Sequence, residues 1–327
     1  MPVEFVDGFR AAEDLALLGD SGWMITSSMQ PDPQTFFVHV QTRERVAAYP
    51  QAMRVAGDRA IYPDAEPVSG GIFHGLAVRA GADGIHTVYQ INHAGMLGSS
   101  AETGREAVEV FEVDTRGAVP SLTWVGAVPL PPWAVGNDLC VLPDGGFAVT
   151  NMRFAGDDFR PRLLEGGPTG NVIEWRGTDL PWRIAEGTDL NLPNGIEVSP
   201  DGRYYYVSLT ARRELVRIRR DDPHGDRRTI RTPFMGDNLT WGRDGRLLLT
   251  GQDTDIETML AEFADPARTD RGYPFGVVAI DPDTLECETV AWHAGSELVA
   301  TTAVDAGGEY WIGSSHGTRI AVVSGSA

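Results

Sequence analysis

Six segments of this sequence repeat one pattern: one or two polar residues, a short apolar run, a turn rich in glycine and aspartate, and a second apolar run. The segments begin at residues 13, 74, 137, 194, 237 and 301. Each predicts a β-hairpin, and apolar runs between the hairpins, such as residues 108–113, supply outer strands. Regular repeats of small antiparallel sheets are typical of β-propellers. The 327 residues therefore predict an all-β chain, a single domain over residues 1–327 that is a six-bladed β-propeller with four-stranded antiparallel blades.

The two ends of the chain are expected to close the ring. The sixth segment ends after the apolar run 320–323, one strand short of a four-stranded blade. The unassigned run 3–6 can supply that strand and so leave no open sheet edge. A β-sandwich and two small all-β domains are the alternatives, but neither explains six similar hairpins with an N-terminal run to spare. Only residues 255–263 show an amphipathic helical pattern.

Oxygen-bearing side chains open four of the segments. In a propeller the innermost strands begin at one face of a central channel, so these side chains are expected to converge. Carboxylate and amide oxygens suit calcium, whereas zinc prefers imidazole or thiolate. Successive residues on a strand point in different directions, so a polar doublet can serve two ions at different depths. The members are Glu13, Asn137, Asn194, Asp237 and Asn238 for an ion at the channel mouth, and Asp14 and Asp138 for a deeper ion.

Each of these pieces has a plainer interpretation when it is taken alone. The dipeptide Asn194-Gly195 is typical of a turn, and an isolated pair of acidic or amide residues is usually exposed surface. Their shared place at the head of successive repeats favours the metal interpretation.

Two histidines are expected at the same face. His74 opens the inner strand of the second segment, and His93 ends the strand that returns from it. Because a hairpin brings its two ends together, the imidazoles should lie side by side at the channel mouth. A neutral imidazole there can take a proton from water near an ion, while the other histidine orients it. A pair of packing or loop histidines is the alternative.

The charge balance excludes several kinds of partner. The chain has 46 acidic residues against 27 arginines and no lysine, a net charge of −19 that repels nucleic acids and anionic membranes. No apolar run approaches the roughly 18 residues of a membrane span, and the first residues lack a signal-peptide pattern. Cys140 and Cys287 lie in separate apolar runs, so no disulfide framework is expected. We therefore expect a cytoplasmic protein that acts on a small molecule, with neither nucleic acid nor membrane as its partner.

The ordered motifs between residues 13 and 323 resemble the paraoxonase/arylesterase family. Members of that family are six-bladed propellers that hold two calcium ions and hydrolyse lactones and esters. The SMP-30/gluconolactonase and strictosidine-synthase-like proteins are similar to them in fold and in part of the ligand set. The motifs are Glu13-Asp14-Leu15, His74-Gly75-Leu76, Ile91-Asn92-His93, Asn137-Asp138-Leu139, Thr150-Asn151, Asn194-Gly195-Ile196 and Asp237-Asn238-Leu239.

The resemblance implies roles for single residues. It makes His74 and His93 the catalytic dyad, and Asp14, Asp138 and the Leu76 carbonyl the ligands of a structural calcium. The catalytic calcium would be held by Glu13, Asn137, Asn194, Asp237 and Asn238. The chain departs from the family at Met152, where paraoxonases commonly have aspartate. It also lacks the terminal disulfide and the apolar N-terminal helix of the mammalian members.

These observations predict a calcium-dependent hydrolase of lactones or aryl esters. The ion would polarise the carbonyl group, and water activated by histidine would attack it. One alternative keeps the metal and changes the reaction to an isomerisation, an elimination or a condensation, since proton transfer serves those reactions too. The other alternative is a propeller that binds partners without catalysis, which would need no cage of buried oxygens.

Overall fold

Six mainly antiparallel sheets surround a central channel, and each predicted hairpin lies at the inner edge of one sheet. The computed structural model describes residues 2–63, 65–67, 70–93, 106–264 and 272–325. The prediction of an all-β, six-bladed propeller is confirmed.

The first three blades follow the order of the sequence, and their strands are given from the channel outward. Blade 1 consists of β2 (Leu15–Leu17), β3 (Trp23–Thr26), β4 (Thr35–His39) and β5 (Arg45–Tyr49). Blade 2 consists of β7 (Phe73–Arg79), β8 (Ile85–His93), β9 (Glu106–Asp114), β10 (Ser121–Pro129) and β6 (Arg54–Val55). Blade 3 consists of β11 (Ala134–Val141), β12 (Phe147–Phe154), β13 (Asn171–Trp175) and β14 (Arg183–Ile184).

The remaining blades complete the ring. Blade 4 consists of β15 (Pro193–Val198), β16 (Tyr204–Leu209), β17 (Glu214–Arg219) and β18 (Arg227–Arg231). Blade 5 consists of β19 (Met235–Trp241), β20 (Leu247–Gln252), β21 (Phe275–Ile280) and β22 (Cys287–His293). Blade 6 consists of β23 (Ala300–Asp305), β24 (Glu309–Ser314), β25 (Arg319–Ser324) and β1 (Val3–Asp7). The helical segments are α1 (Arg160–Leu164), α2 (Ile256–Ala264) and one 3-10 turn (Thr210–Arg212).

Blade 2 departs from the four-stranded expectation. The chain leaving β5 crosses the outer edge of this blade before it enters the inner strand β7. On the way, Arg54 and Val55 pair in parallel with Thr123 and Trp124 of β10. The backbone N–H of Ala56 then donates to the carbonyl oxygen of Trp124 at 3.0 Å. The fifth strand is thus a by-product of the connection between two blades.

The N-terminal strand closes the ring as predicted. All five residues of β1 pair antiparallel with β25, from Val3 opposite Val323 to Asp7 opposite Arg319. Arg43 of blade 1 adds a two-pronged ion pair to Glu309 of blade 6, with N–O distances of 2.8 and 2.7 Å. The first and last parts of the chain therefore share one sheet, and that sheet packs against blade 1.

Apolar side chains fill the space between neighbouring blades. Phe37 of blade 1 belongs to one buried cluster with Phe73 and Phe111 of blade 2. Trp311 of blade 6 is fully buried in another cluster with Val38 of blade 1. Middle strands such as β21 are covered on both faces, so buried residues follow one another along the strand rather than alternating with exposed ones. No helix in the described part of the chain is long and apolar enough to cross a membrane.

Removal of residues 2–8 tests the closure of the ring. The deletion exposes the backbone edge of β25 and uncovers the apolar residues that β1 packs against, so we expect a large loss of stability and less cooperative unfolding. The measurement is thermal and urea unfolding. Glu4→Gln, at an exposed β1 position, is the matched control, because it keeps a hydrogen-bond acceptor for Arg43 and should unfold like the wild type. Unchanged unfolding of the truncated protein would contradict the prediction.

Candidate metal centre and histidine pair

In the inner hairpins, the pairing between the first and second strands is interrupted at the same position. In five blades, two consecutive residues of the inner strand fall in a register break with the second strand. In blade 1, pairing begins at Leu15, directly after Glu13 and Asp14. Such irregularities bend a strand and re-aim its side chains. The residues in the breaks are His74-Gly75, Asn137-Asp138, Asn194-Gly195, Asp237-Asn238 and Thr301-Thr302.

Two glycines in these breaks allow neighbouring inner strands to approach closely. A Cβ atom on Gly75 would lie 2.6 Å from the carbonyl oxygen of Asn137, and one on Gly195 would lie 2.5 Å from that of Asp237. A side chain at either position would therefore collide with the next blade. Asn194-Gly195 lies within β15 and not in a turn, so the glycine serves this backbone contact rather than a change of chain direction.

The side chains predicted for the channel-mouth ion present oxygens without partners. Glu13 Oε2 and the Oδ1 atoms of Asn137, Asn194 and Asn238 are buried and accept no hydrogen bond from any described residue. Each such atom costs about 1–3 kcal/mol when it is left unsatisfied. Four of them belong to one predicted set, and all are electron-pair donors, which is the signature expected of ligands to a hard cation.

The amide nitrogens of the same asparagines do find partners. Asn238 Nδ2 donates to Glu13 Oε1 at 2.8 Å, a bond that links blade 5 to blade 1. Asn137 Nδ2 contacts the Met152 sulfur at 3.7 Å, and the Asn194 side chain hydrogen-bonds the Asp237 carboxylate. These contacts fix the amide orientations and leave the oxygens for a ligand. The residues present therefore fit a calcium ion at the channel mouth.

The residues predicted for the deeper ion come together in a different way. Asp14 accepts backbone N–H bonds from Leu15 at 2.9 Å and from Leu76 of the next blade at 2.8 Å. Asp138 accepts from Leu139 at 2.7 Å and from Ile196 at 3.0 Å. Both carboxylates thus join adjacent blades. Leu76 contacts Asp14 through its N–H, whereas the predicted role uses its carbonyl oxygen.

Burial raises the pKa values of these carboxyl groups. It raises the pKa of Asp14 to about 6 and that of Asp237 to about 7, against hydrogen bonds that lower both. Burial, followed by the charges of neighbouring aspartates, also raises the pKa values of Glu13 and Asp138 well above their ordinary range. In the described ranges, no three His, Cys, Asp or Glu side chains are grouped to hold a metal ion. The channel-mouth set differs from such a group because three of its five members are asparagines.

The two histidines meet as predicted, and a carboxylate joins them. His74 Nδ1 lies 2.9 Å from His93 Nε2, and both side chains are buried. His74 Nε2 lies 3.8 Å from Glu13 Oε1, so the histidine pair adjoins the oxygen set. Burial, followed by the charge of His93, lowers the pKa of His74 well below its ordinary range. On the far side, His93 Nδ1 lies 2.6 Å from Glu106 Oε2.

Sequence reasoning missed Glu106 and Glu197. Glu106 is the cross-strand partner of His93, a relation that could have been found by extending the third strand of blade 2 toward its start. Glu197 lines a channel cavity of about 740 Å³ together with Asp14 and Asp138. Burial raises the pKa of Glu197 to about 8. The position of Glu197 three residues after Asn194, on the inner strand β15, was the available signal.

The site and the fold define a β-propeller that gathers buried oxygen ligands and a histidine pair at one end of its channel. Residues 94–256 match the family model described as SMP-30/Gluconolactonase/LRE-like region. This match supports an SMP-30/gluconolactonase-like six-bladed propeller, the broader of the groups that the motifs resemble. Comparison with curated proteins gave no match.

Solved structures share the architecture at low identity. A luciferin-regenerating enzyme aligns with a TM-score of 0.59 and 12% identity, over 99% of this chain and 95% of that one. A putative gluconolactonase gives 0.57 and 14%, over 99% and 92%. Regucalcin from Agrobacterium tumefaciens, described as a calcium-binding protein, gives 0.53 and 12%, over 97% and 91%. At these identities the likeness establishes the fold alone.

The buried carboxyls predict how pH acts on the metal-free protein. Asp14 and Asp237 bind protons more tightly in the folded chain than in the unfolded chain, with pKa values of about 6 and 7. The folded state therefore holds more protons between about pH 4 and 7, and the free energy of unfolding should fall as the pH rises through that window. Calcium should remove this fall, because a bound cation stabilises the ionised carboxylates.

Thermal unfolding of chelator-treated protein, measured from about pH 5 to 8 with and without calcium, checks this expectation. Asp237→Asn should flatten the pH dependence. Asp201→Asn is the matched control, because the lowered pKa of that exposed carboxyl, about 2, lies outside the window. A metal-free protein that gains stability toward pH 8 would contradict the electrostatic argument.

Proposed function

We propose that this propeller is a calcium-dependent hydrolase of lactones or aryl esters, with a paraoxonase-like arrangement of ligands and histidines. The observation that carries the proposal is the position of Glu13. Its Oε2 belongs to the set of unpartnered oxygens, and its Oε1 lies 3.8 Å from His74 Nε2. One carboxylate therefore adjoins both a candidate cation site and a candidate base.

Glu13, Asn137, Asn194, Asp237 and Asn238 would hold the ion. When bound, calcium supplies a Lewis acid that polarises a carbonyl oxygen and stabilises the negative charge that develops on it. Asp14 and Asp138 would serve a second, deeper ion, and they also tie blade 1 to blade 2 and blade 3 to blade 4.

His74 is the proposed base. Its lowered pKa keeps the imidazole neutral at physiological pH, so that a nitrogen is free to accept a proton from water. His93 holds His74 in place through the 2.9 Å contact between their rings. A propeller that only binds partners has no need of this fully buried pair, and this favours catalysis.

A screen of γ-, δ- and aromatic lactones and aryl esters tests the proposal. We expect hydrolysis in calcium, loss of hydrolysis in EGTA and recovery when calcium is returned. Metal analysis of the purified protein should find two calcium ions per chain. Stoichiometric zinc without calcium would overturn the metal assignment. A calcium-loaded protein that hydrolyses none of these compounds would point to an isomerase or a lyase instead.

Substitutions of the two histidines distinguish the proposed base, His74, from the residue that positions it, His93. His74→Gln should lower hydrolysis by roughly 10²- to 10⁴-fold, the usual contribution of a positioned base, while calcium binding is retained. His93→Gln should lose less, and Asp237→Ala should lose both activity and an ion. Wild-type activity should rise as the pH is raised from acidic values. It should reach its plateau before about pH 6.5, the ordinary pKa of imidazole, because the pKa of His74 is lowered. Full activity of His74→Gln would exclude His74 as the base.

A further inference from the structure

The carboxylate of Glu106 is largely buried and contacts the histidine pair through His93. Glu106 is the first residue of β9 and the ladder partner of His93 on β8. Its side chain is 9% exposed and that of His93 is 0% exposed, with Glu106 Oε2 2.6 Å from His93 Nδ1. Carboxylates are rarely buried to this degree without a specific partner. A short contact to an imidazole in a dry environment is a strong hydrogen bond.

With Glu106 ionised and both imidazoles neutral, this contact sets where the hydrogens of the two rings lie. An ionised carboxylate can only accept, so His93 Nδ1 must carry a hydrogen. In a neutral imidazole the other nitrogen is then an acceptor, which makes His93 Nε2 accept from His74 Nδ1 at 2.9 Å. His74 therefore carries its hydrogen on Nδ1. Its Nε2, the atom that faces Glu13, is left with a free electron pair.

We propose that Glu106 is a positioning residue that sets the tautomers of His93 and His74 and so turns the basic nitrogen of His74 toward the oxygen set. For the kinetic consequence, the inference rests on the proposed function. When His74 Nε2 takes a proton from water, the oxygen keeps the electron pair of the broken O–H bond and bonds to the carbonyl carbon, whose π electrons move to the carbonyl oxygen. When the carbonyl double bond forms again, the ester C–O bond breaks, and the leaving oxygen keeps that electron pair and takes the proton from His74. Between these two steps, the positive charge on the imidazoles is balanced by the Glu106 carboxylate through the two hydrogen bonds.

A second glutamate of β9, Glu109, serves for comparison with Glu106. Glu109 is also buried, and it accepts from Trp124 Nε1 at 2.8 Å and from Asn92 Nδ2 at 3.2 Å, within blade 2. Neither of these donors belongs to the histidine pair. Glu109→Gln is therefore the matched control for a substitution of a buried carboxylate on β9.

The first measurement is nuclear magnetic resonance of protein labelled with ¹⁵N at histidine, on the full chain. We expect both His74 and His93 to carry the hydrogen on Nδ1, with signals assigned from His74→Gln and His93→Gln. Glu106→Ala should change or mix the tautomers of the pair, and Glu109→Gln should leave them unchanged. Unaltered tautomers in Glu106→Ala would overturn the inference, whatever the protein hydrolyses.

The second measurement is steady-state hydrolysis of a lactone found in the screen. Glu106→Ala and Glu106→Gln should lower kcat by roughly 10- to 100-fold, the usual effect of losing a carboxylate behind a functional histidine, with little change in KM. Glu106→Asp should recover part of the loss, and Glu109→Gln should keep wild-type kcat in whatever protein stays folded. Equal losses of kcat in the Glu106 and Glu109 variants would reduce Glu106 to a structural residue. Absence of hydrolysis in the wild type would refute the proposed function, and the tautomers alone would then decide the role of Glu106.

Discussion

The site depends on the two-residue breaks in the inner ladders. A regular strand would point successive side chains to opposite faces of its blade, into the apolar layers between blades. At the breaks, the polar residues leave that alternation, and Gly75 and Gly195 let the neighbouring strand approach at the same level. Residues far apart in sequence are thereby held within hydrogen-bond distance, as Asn238 and Glu13 are. The sheets hold the backbone in place, and the register breaks orient the polar side chains toward one another.

Burial acts on the acids and the base of this site in opposite senses. It raises the pKa of Glu13 and lowers the pKa of His74, so each group favours its neutral form in the absence of a compensating charge. The two groups are 3.8 Å apart. A cation among the oxygens would favour the ionised form of Glu13, and the Glu106 carboxylate would favour a proton on the imidazoles. In this arrangement, a cation bound among the oxygens would change the proton affinity of the neighbouring imidazoles.

The repeats in the sequence were sufficient to predict the fold and the positions of the polar doublets, because the register of each inner strand is set by its own hairpin. His74 and His93 could be placed together for the same reason. Glu106 was missed because its contact with His93 depends on the third strand of blade 2, and the hairpin pattern alone does not give the start of that strand. The extra strand of blade 2 was also missed: Arg54 and Val55 are exposed, so no apolar pattern marks them.

The motif Asn194-Gly195 shows why local patterns mislead in such folds. A glycine after an asparagine usually allows the backbone to turn. Here the missing Cβ makes room for the backbone of a different blade, a contact that no local window of sequence contains. Leu76 donates its N–H to Asp14, and the role of its carbonyl oxygen as a calcium ligand stays a prediction.

The pairing of β1 with β25 also fixes the order in which the protein can be completed. β1 is synthesised before all the other strands of the ring and its partner β25 after them, whereas every other blade is made from one continuous stretch. During synthesis, β1 must therefore remain unpaired while five blades assemble, and the ring can be sealed only when the last strand emerges. Contacts this distant in sequence form late and slowly. A chain that ends within blade 6 would therefore form a propeller with two exposed sheet edges, and one of those edges would be β1.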